Sequence, residues 1–189
     1  TAYRRQRQMC IRDSYMAKRA GAQLVNMGYI QTYPICDPIS GVIELIADSR
    51  FDGAIMLNQE GKRFVEELER RDVLSEAILK QTGNYCWVLW NDNIGKISNT
   101  VKEHPTEYEA FTKQGIMATC PDLKCIADFT KMPLKQLEST VKRVSSMAGK
   151  GNDKDFHHRG GLMDMSEGQY YVIKAVPSTH HTMGGVRIN

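Results

Sequence analysis

The sequence lacks three features that would each point to a definite class of protein. No apolar run approaches the roughly 18 residues that a membrane-spanning helix needs. Its 25 lysines and arginines nearly balance its 22 aspartates and glutamates, so no nucleic-acid-binding stripe or polybasic membrane surface is indicated. None of its 15 glycines belongs to a G-x-G-x-x-G motif after a strand, so the chain carries no dinucleotide cradle of its own.

Disulfide and metal frameworks are also poorly supported by the sequence. Five cysteines form an odd set, and the close pair Cys120 and Cys125 has no histidine nearby, so we predict plain thiols. The adjacent His180 and His181 have neither a histidine four residues away nor an acidic cluster beside them, so we expect no metal. On an extended strand their rings would point to opposite sides and could serve two different ligands.

The first half of the chain predicts a connecting segment followed by a mixture of helices and strands. Residues 1–14 carry four basic residues and no pattern that fits the rest of the chain, so we set them apart as foreign to the domain. We expect a short helix ending near Gly21, then a strand over 27–31 that Pro34 stops. GAIMLNQEGKRF suggests a β-hairpin. The next helix is expected over 73–81 with Asp72 as its candidate N-cap, and the residues from Phe64 onward are an alternative start.

The second half alternates helices with short apolar strands. YCWVLW predicts a buried strand over 85–90, and helices are expected over 106–113, 123–130 and 133–148. YYVIKAVPS predicts a strand that leads into HHTMGG and a final strand, VRIN. This order of strand fragment, mixed body and strand fragment predicts an α+β domain inserted into a second domain, of which only the two edges are present.

Arg71 is the most informative charged residue of the middle segment. It lies in GKRFVEELERRDVLSEAILKQ, beside apolar positions that could hold part of its side chain against the core. The ordinary alternative is a surface arginine paired with Glu67 or Glu69. A guanidinium can donate a proton only in a closed, water-poor pocket, because its pKa lies above about 12.

Two long stretches, GAIMLNQEGKRFVEELERRDVLSEAILKQ and YYVIKAVPSTHHTMGG, resemble the flavoprotein reductases that include fumarate reductase and urocanate reductase. A weaker match, AGAQLVNMGYIQTYP, precedes them, and the resemblance covers the chain from Tyr15 to Asn189. It implies a Rossmann-type FAD-binding domain interrupted by a mobile clamp domain. The FAD-binding domain would contribute residues 15–30 and 180–189, and the clamp would cover 31–179.

The family reaction reduces an α,β-unsaturated carboxylate. Reduced flavin N5 gives a hydride to one alkene carbon and an arginine, matched by Arg71, gives a proton to the other. By the same comparison His180 holds substrate, His181 contacts flavin and Arg50 belongs to the proton-delivery path. A Thr-Glu pair that the family carries just before Arg50 is not matched in ELIADSR.

Two further positions bear on the substrate. Tyr33 stands before Pro34 where fumarate reductases carry a histidine, and Tyr33 with Asp48 resembles the pair that urocanate reductases use near the imidazole. The resemblance therefore implies reduction of urocanate to imidazole propionate. Fumarate or another enoate is the nearest alternative, and a clamp that only binds ligands is an alternative of another class. Outside this family, Tyr33 would be an ordinary half-buried tyrosine and Asp48 a turn or cap residue.

The resemblance also implies what lies around these residues. FAD would bind mostly outside this chain, so we expect the chain alone to be inactive. An FMN or heme group in a preceding domain and an electron donor are implied as partners of the small-molecule substrate. The resemblance also implies an extracytoplasmic location, at a cell surface or in a periplasm.

Overall fold

The computed structural model describes residues 12–151 and 153–188. Residues 1–11 of the stretch that the sequence sets apart therefore lie outside the described residues. Residues 12–19 are helical and form α1. No helix of this described part is long and apolar enough to cross a membrane.

Two antiparallel sheets organise the fold. Strands β1 (Leu24–Val25) and β7 (Gly185–Val186) pair in a small sheet. The larger sheet contains β2 (Ile30–Cys36), β3 (Ile55–Leu57), β4 (Cys86–Asn91), β5 (Met117–Cys120) and β6 (Tyr170–Thr182). Its order is β2-β6-β4-β3, with β5 also paired to β6. The 13-residue β6 pairs with β4 and β5 in its first half and with β2 in its second half.

Helices and two short 3-10 helices cover this sheet. Strand β4 is buried along its whole length, so the core lies on both sides of the sheet. The 3-10 helices span Leu45–Asp52 and Thr82–Asn84. The α-helices are α2 (Arg71–Leu79), α3 (Asp92–Ser98), α4 (Thr100–Glu103), α5 (Pro105–Gln114), α6 (Leu123–Thr130) and α7 (Leu134–Met147).

Strand β2 begins later and runs further than the sequence indicates. Pro34 lies inside it, so the expectation that this proline stops the strand was wrong. The register between β2 and β6 is irregular between Tyr33 and Cys36, where regular ladder hydrogen bonds are interrupted. A proline lacks the N–H that a regular ladder requires, and it is tolerated here because the ladder is interrupted at this position.

The helix after the hairpin begins two residues earlier than predicted. Its N-cap is Arg70, so the prediction of Asp72 as the cap was wrong. The Asp72 carboxylate instead accepts bonds from the Arg70 guanidinium, at 2.6 Å for the shorter contact.

The predicted hairpin forms only in part. Strand β3 pairs with β4, and an isolated bridge joins Leu57 to Arg63 across the turn.

The cysteine prediction fails at one pair. Cys120, at the end of β5, and Cys125, in the first turn of α6, form a disulfide. Asp122 caps α6 by accepting the Cys125 N–H at 2.8 Å, and this reverses the chain so that the two Cα atoms lie 5.6 Å apart. Cys36 and Cys86 are buried free thiols, as predicted. Cys10 lies outside the described residues.

Candidate active site

Arg71 is directed over strand β2 by the packing of α2. It opens that helix and precedes the fully buried Leu74 and Ile78 by three and seven residues, so all three share one face. That face packs on β2. The Arg71 Nη1 donates to the side-chain oxygen of Gln31 at 2.9 Å, and its guanidinium carbon lies 4.9 Å from the centre of the Tyr33 ring.

The alternative of an ordinary surface ion pair is not what the structure shows for Arg71. The Glu67 carboxylate is buried and binds the Arg63 guanidinium, with a shortest contact of 2.7 Å. Glu69 pairs with Arg159 at 2.5 Å. Among the described residues no carboxylate forms an ion pair with Arg71, so its exposed guanidinium is available to a ligand.

A β-bulge in β6 brings His180 to the arginine. Gln31 of β2 pairs with His181, but the next residue of β2, Thr32, pairs with Thr179. His180 is therefore the extra residue of the bulge. Its ring and that of His181 have centroids only 4.7 Å apart, so the prediction that they point to opposite sides was wrong. The bulge breaks the alternation on which that prediction depended.

Gln31 is a central residue of the cluster that the sequence did not single out. Its side-chain oxygen lies 2.5 Å from His180 Nδ1 and also accepts the Arg71 bond. The Arg71 Nη1 is 3.5 Å from the same imidazole nitrogen. One amide oxygen thus holds the two side chains together. Strand alternation, which places residue 31 on the face of Tyr33, was the available signal.

Tyr33 connects the arginine cluster to Asp48. Its ring is buried and lies 5.4 Å from the His180 ring, tilted by 49°. Burial raises the pKa of Asp48, while the charges of Arg50 and His104 and a hydrogen bond with the Tyr33 side chain lower it. Four of the predicted site residues, Arg71, Tyr33, Asp48 and His180, therefore belong to one connected group.

Arg50 and His181 lie at the edges of this group. Arg50 is buried, its Nη1 donates to the Glu67 carbonyl oxygen at 3.2 Å, and its charge acts on Asp48. It reaches the cluster through Asp48. His181 is exposed, and its Nδ1 lies 2.9 Å from the Thr182 carbonyl oxygen.

A cavity of about 800 Å³ opens beside Arg71 and Gln31. Tyr33, Asp48 and His180 do not line it, so the cluster and the cavity meet at Arg71 and Gln31. Exposed apolar side chains on its walls can pack against a flat ring system, and Arg70 and Arg71 place positive charge beside them. The lining residues that carry these side chains are Tyr29, Ile30 and Met183.

Glu44, the first residue of the segment ELIADSR, is a buried carboxyl group that the sequence analysis does not predict. Glu44 is fully buried, and neither of its side-chain oxygens has a hydrogen-bond partner. Burial, followed by the charges of Asp37 and Glu107, raises the pKa of Glu44 well above its ordinary value. An unpartnered buried carboxylate is costly, so this group is most stable when protonated.

Replacing Glu44 by glutamine is expected to flatten the pH dependence of the free energy of unfolding. Because the folded protein holds this proton more tightly than the unfolded chain, the contribution of Glu44 is fully present below the ordinary value of 4.5 and is lost as pH rises through the raised pKa. The slope attributable to it is at most about 1.4 kcal/mol per pH unit. Denaturant unfolding between that pH and neutrality measures the slope, and an unchanged slope would contradict the assignment. Exposed Glu60→Gln is the matched control.

Comparisons with known proteins identify the family and the fold of the chain. Residues 12–189 match the FAD binding domain family. The chain is 35% identical over 175 residues to urocanate reductase of Eggerthella lenta, covering 92% of this chain and 29% of that protein. It is 36% identical over 174 residues to fumarate reductase (cytochrome) of Shewanella frigidimarina, with 92% and 29% covered. The solved open conformation of a flavocytochrome c3 fumarate reductase matches with a TM-score of 0.75 at 30% identity, covering 93% of this chain and 30% of that one.

Fold and comparisons define an α+β part of a flavoprotein, which confirms the predicted fold class. The chain belongs to the FAD binding domain family, and its predicted resemblance to the fumarate and urocanate reductases is confirmed. It spans less than a third of the length of these relatives.

Proposed function

We propose that the complete protein is an FAD-dependent enzyme that reduces the alkene of an α,β-unsaturated carboxylate. The observation that carries this proposal is the Arg71 guanidinium, which lies against His180 and Tyr33 at the mouth of a cavity with no carboxylate of the described residues paired to it. The names of the relatives support it, because they include reductases of urocanate, fumarate and acrylate.

The residues at the cavity fit the ring end of a flavin. Met183 and Tyr29 would pack against the ring system, and His181 would contact it from the neighbouring end of β6. When bound, reduced FAD supplies the hydride. Its phosphates would bind to residues of the complete protein outside this chain. An FMN or heme domain, or a separate donor protein, would supply the electrons.

The chain's own residues provide binding and the proton. Arg71 donates its proton to the alkene carbon that does not receive the hydride, which balances a two-electron, two-proton-equivalent reduction to the saturated acid. His180, held by Gln31, binds the substrate carboxylate. Arg50 would belong to the path that returns a proton to Arg71, and its burial beside the start of α2, with Nη1 bonded to the Glu67 carbonyl oxygen, supports that role.

We propose urocanate as the substrate. Tyr33 offers a ring for stacking, and Asp48, which is coupled to it, offers an acceptor for an imidazole N–H. The complete protein, reduced with a dye in the absence of oxygen, should convert urocanate to imidazole propionate, detected by mass spectrometry. If only fumarate or acrylate were reduced, the proposed reaction would hold but urocanate would not be the substrate. If no enoate were reduced, a clamp that only binds ligands would be favoured.

We also propose that the protein works outside the cytoplasm. The Cys120–Cys125 disulfide supports this location, because disulfides persist mainly in oxidising compartments. Alkylation in intact cells, followed by peptide mapping, should leave both cysteines unlabelled until a reductant is added. Cys36 and Cys86 become reactive on unfolding without reductant and serve as the internal control. Alkylation of Cys120 and Cys125 without reductant would count against the proposal.

A further inference from the structure

The 3-10 helix over Leu45–Asp52 carries both Asp48 and Arg50 but has no cap from its own segment. Its N-cap residue, Glu44, makes no side-chain capping bond. The first N–H groups of a helix have no partners within the helix and must find them elsewhere. The start of this element therefore depends on a group from another part of the chain.

That group is Glu107, from the first turn of α5. Its Oε2 accepts the Ile46 N–H at 2.9 Å, across 61 residues of sequence. The neighbouring Leu45 N–H also lies close enough to this carboxylate to act on the pKa of Glu107 in the lowering direction. A carboxylate at a helix N-terminus satisfies free donors and is favoured by the positive end of the peptide dipoles. Glu107 thus caps the 3-10 helix from outside.

The other end of the same element is fixed independently. The Arg50 Nη1 bonds to the Glu67 carbonyl oxygen, and the element ends at Gly53, which adopts φ 111°. A Cβ at Gly53 would lie 2.7 Å from the Met163 side chain, so this end is closely packed. Asp48 lies between the two fixed ends, about 4 Å along the axis from Ile46 at roughly 2 Å per residue.

We propose that Glu107 is a positioning residue that holds Asp48 in register with Tyr33 and thereby contributes to substrate selection. The proposal rests on the proposed function, because it takes Asp48 as a substrate contact. Removal of the cap would free the first turn and let Asp48 move relative to Tyr33, whereas Arg71 and His180 are held by different elements. Substrate binding would change and the chemical step would not.

Three variants of the complete enzyme test this. Glu107→Ala removes the acceptor, Glu107→Gln keeps a neutral acceptor in place, and Glu109→Ala alters an exposed glutamate of the same helix as a control. Glu107→Ala should raise KM for urocanate about tenfold and leave kcat within about threefold, since displacements below 1 Å have smaller effects than the 100-fold typical of 1 Å. Glu107→Gln should recover most of the lost affinity.

Two readouts separate positioning from general damage. Hydrogen exchange of the Leu45 and Ile46 amides should accelerate in Glu107→Ala and not in Glu109→Ala. In an Asp48→Asn background, Glu107→Ala should add little to KM. Unchanged exchange, or an equal KM increase in both backgrounds, would overturn the proposal. A parent enzyme without activity on urocanate would overturn the proposed substrate and the selection role with it, and the exchange data would show separately whether Glu107 caps the helix.

Discussion

Replacement of Arg71 by lysine is expected to lower kcat of the complete enzyme by about 100-fold or more, with a much smaller change in substrate binding. Lysine keeps the positive charge but is a shorter, differently shaped donor, and it loses the planar group that lies 4.9 Å from the Tyr33 ring centre. Displacement of a reacting group by about 1 Å can by itself cost about 100-fold. Single-turnover reduction of the substrate measures the chemical step directly.

The neighbouring Arg70 provides a matched control. Arg70 lines the same cavity but is exposed and pairs with Asp72 at 2.6 Å rather than with Gln31 or His180, so Arg70→Lys, which keeps the charge, should retain most of the parental turnover. If Arg71→Lys or Arg71→Ala turned over like the parent, Arg71 would not be the proton donor. Equal losses in the Arg70 and Arg71 variants would indicate damage to the start of α2 instead.

The second large effect concerns the choice between urocanate and fumarate. Fumarate would bring its second carboxylate to Asp48, and two unit charges about 4 Å apart repel by about 4 kcal/mol at an effective dielectric near 20. Urocanate presents an imidazole, whose N–H can bond to Asp48. We expect the parent to have a far higher kcat/KM for urocanate than for fumarate, by about two to three powers of ten.

Asp48→Asn should narrow this preference, because it removes the repulsion of fumarate and weakens the acceptor for urocanate. Asp48→Glu, which keeps the charge, is the matched control. Burial raises the pKa of Asp48, so discrimination should also decline as pH falls through that pKa. The preference is measured as the ratio of kcat/KM for urocanate to kcat/KM for fumarate in the parent and the variants, with the same reduced dye as electron donor. If the parent preferred fumarate, the urocanate assignment would be refuted, whereas membership of the family would still hold.

Regular elements were predictable because their signals are local. The helix predicted over residues 123–130 is α6, residue for residue, since Asp122 caps it and its apolar positions repeat at helical spacing. Strand β4 and the start of β6 were found from short apolar runs. The apolar pattern of such segments is enough to predict their type, and pairing with distant strands completes β4 and β6.

The candidate site was predictable only through resemblance, because its contacts join distant parts of the chain. Gln31 and His180 are 149 residues apart, and the bulge that joins them has no sequence signature of its own. The Cys120–Cys125 disulfide was missed because the sequence does not show how sharply the chain reverses at Asp122. Spacing alone could not link Glu107 to the 3-10 helix either.

The pairing of β2 with β6 also bears on how this module can be exchanged between proteins. The chain leaves the small sheet at β1 and returns to it at β7, and Gln31 lies opposite His181 in the ladder, so entry and exit are neighbours. A segment whose two ends are adjacent can be grafted into a host without stretching it. If Arg71, Tyr33, Asp48 and His180 bind the substrate as proposed, transplantation of residues 31–181 into one of the relatives would carry all four residues together.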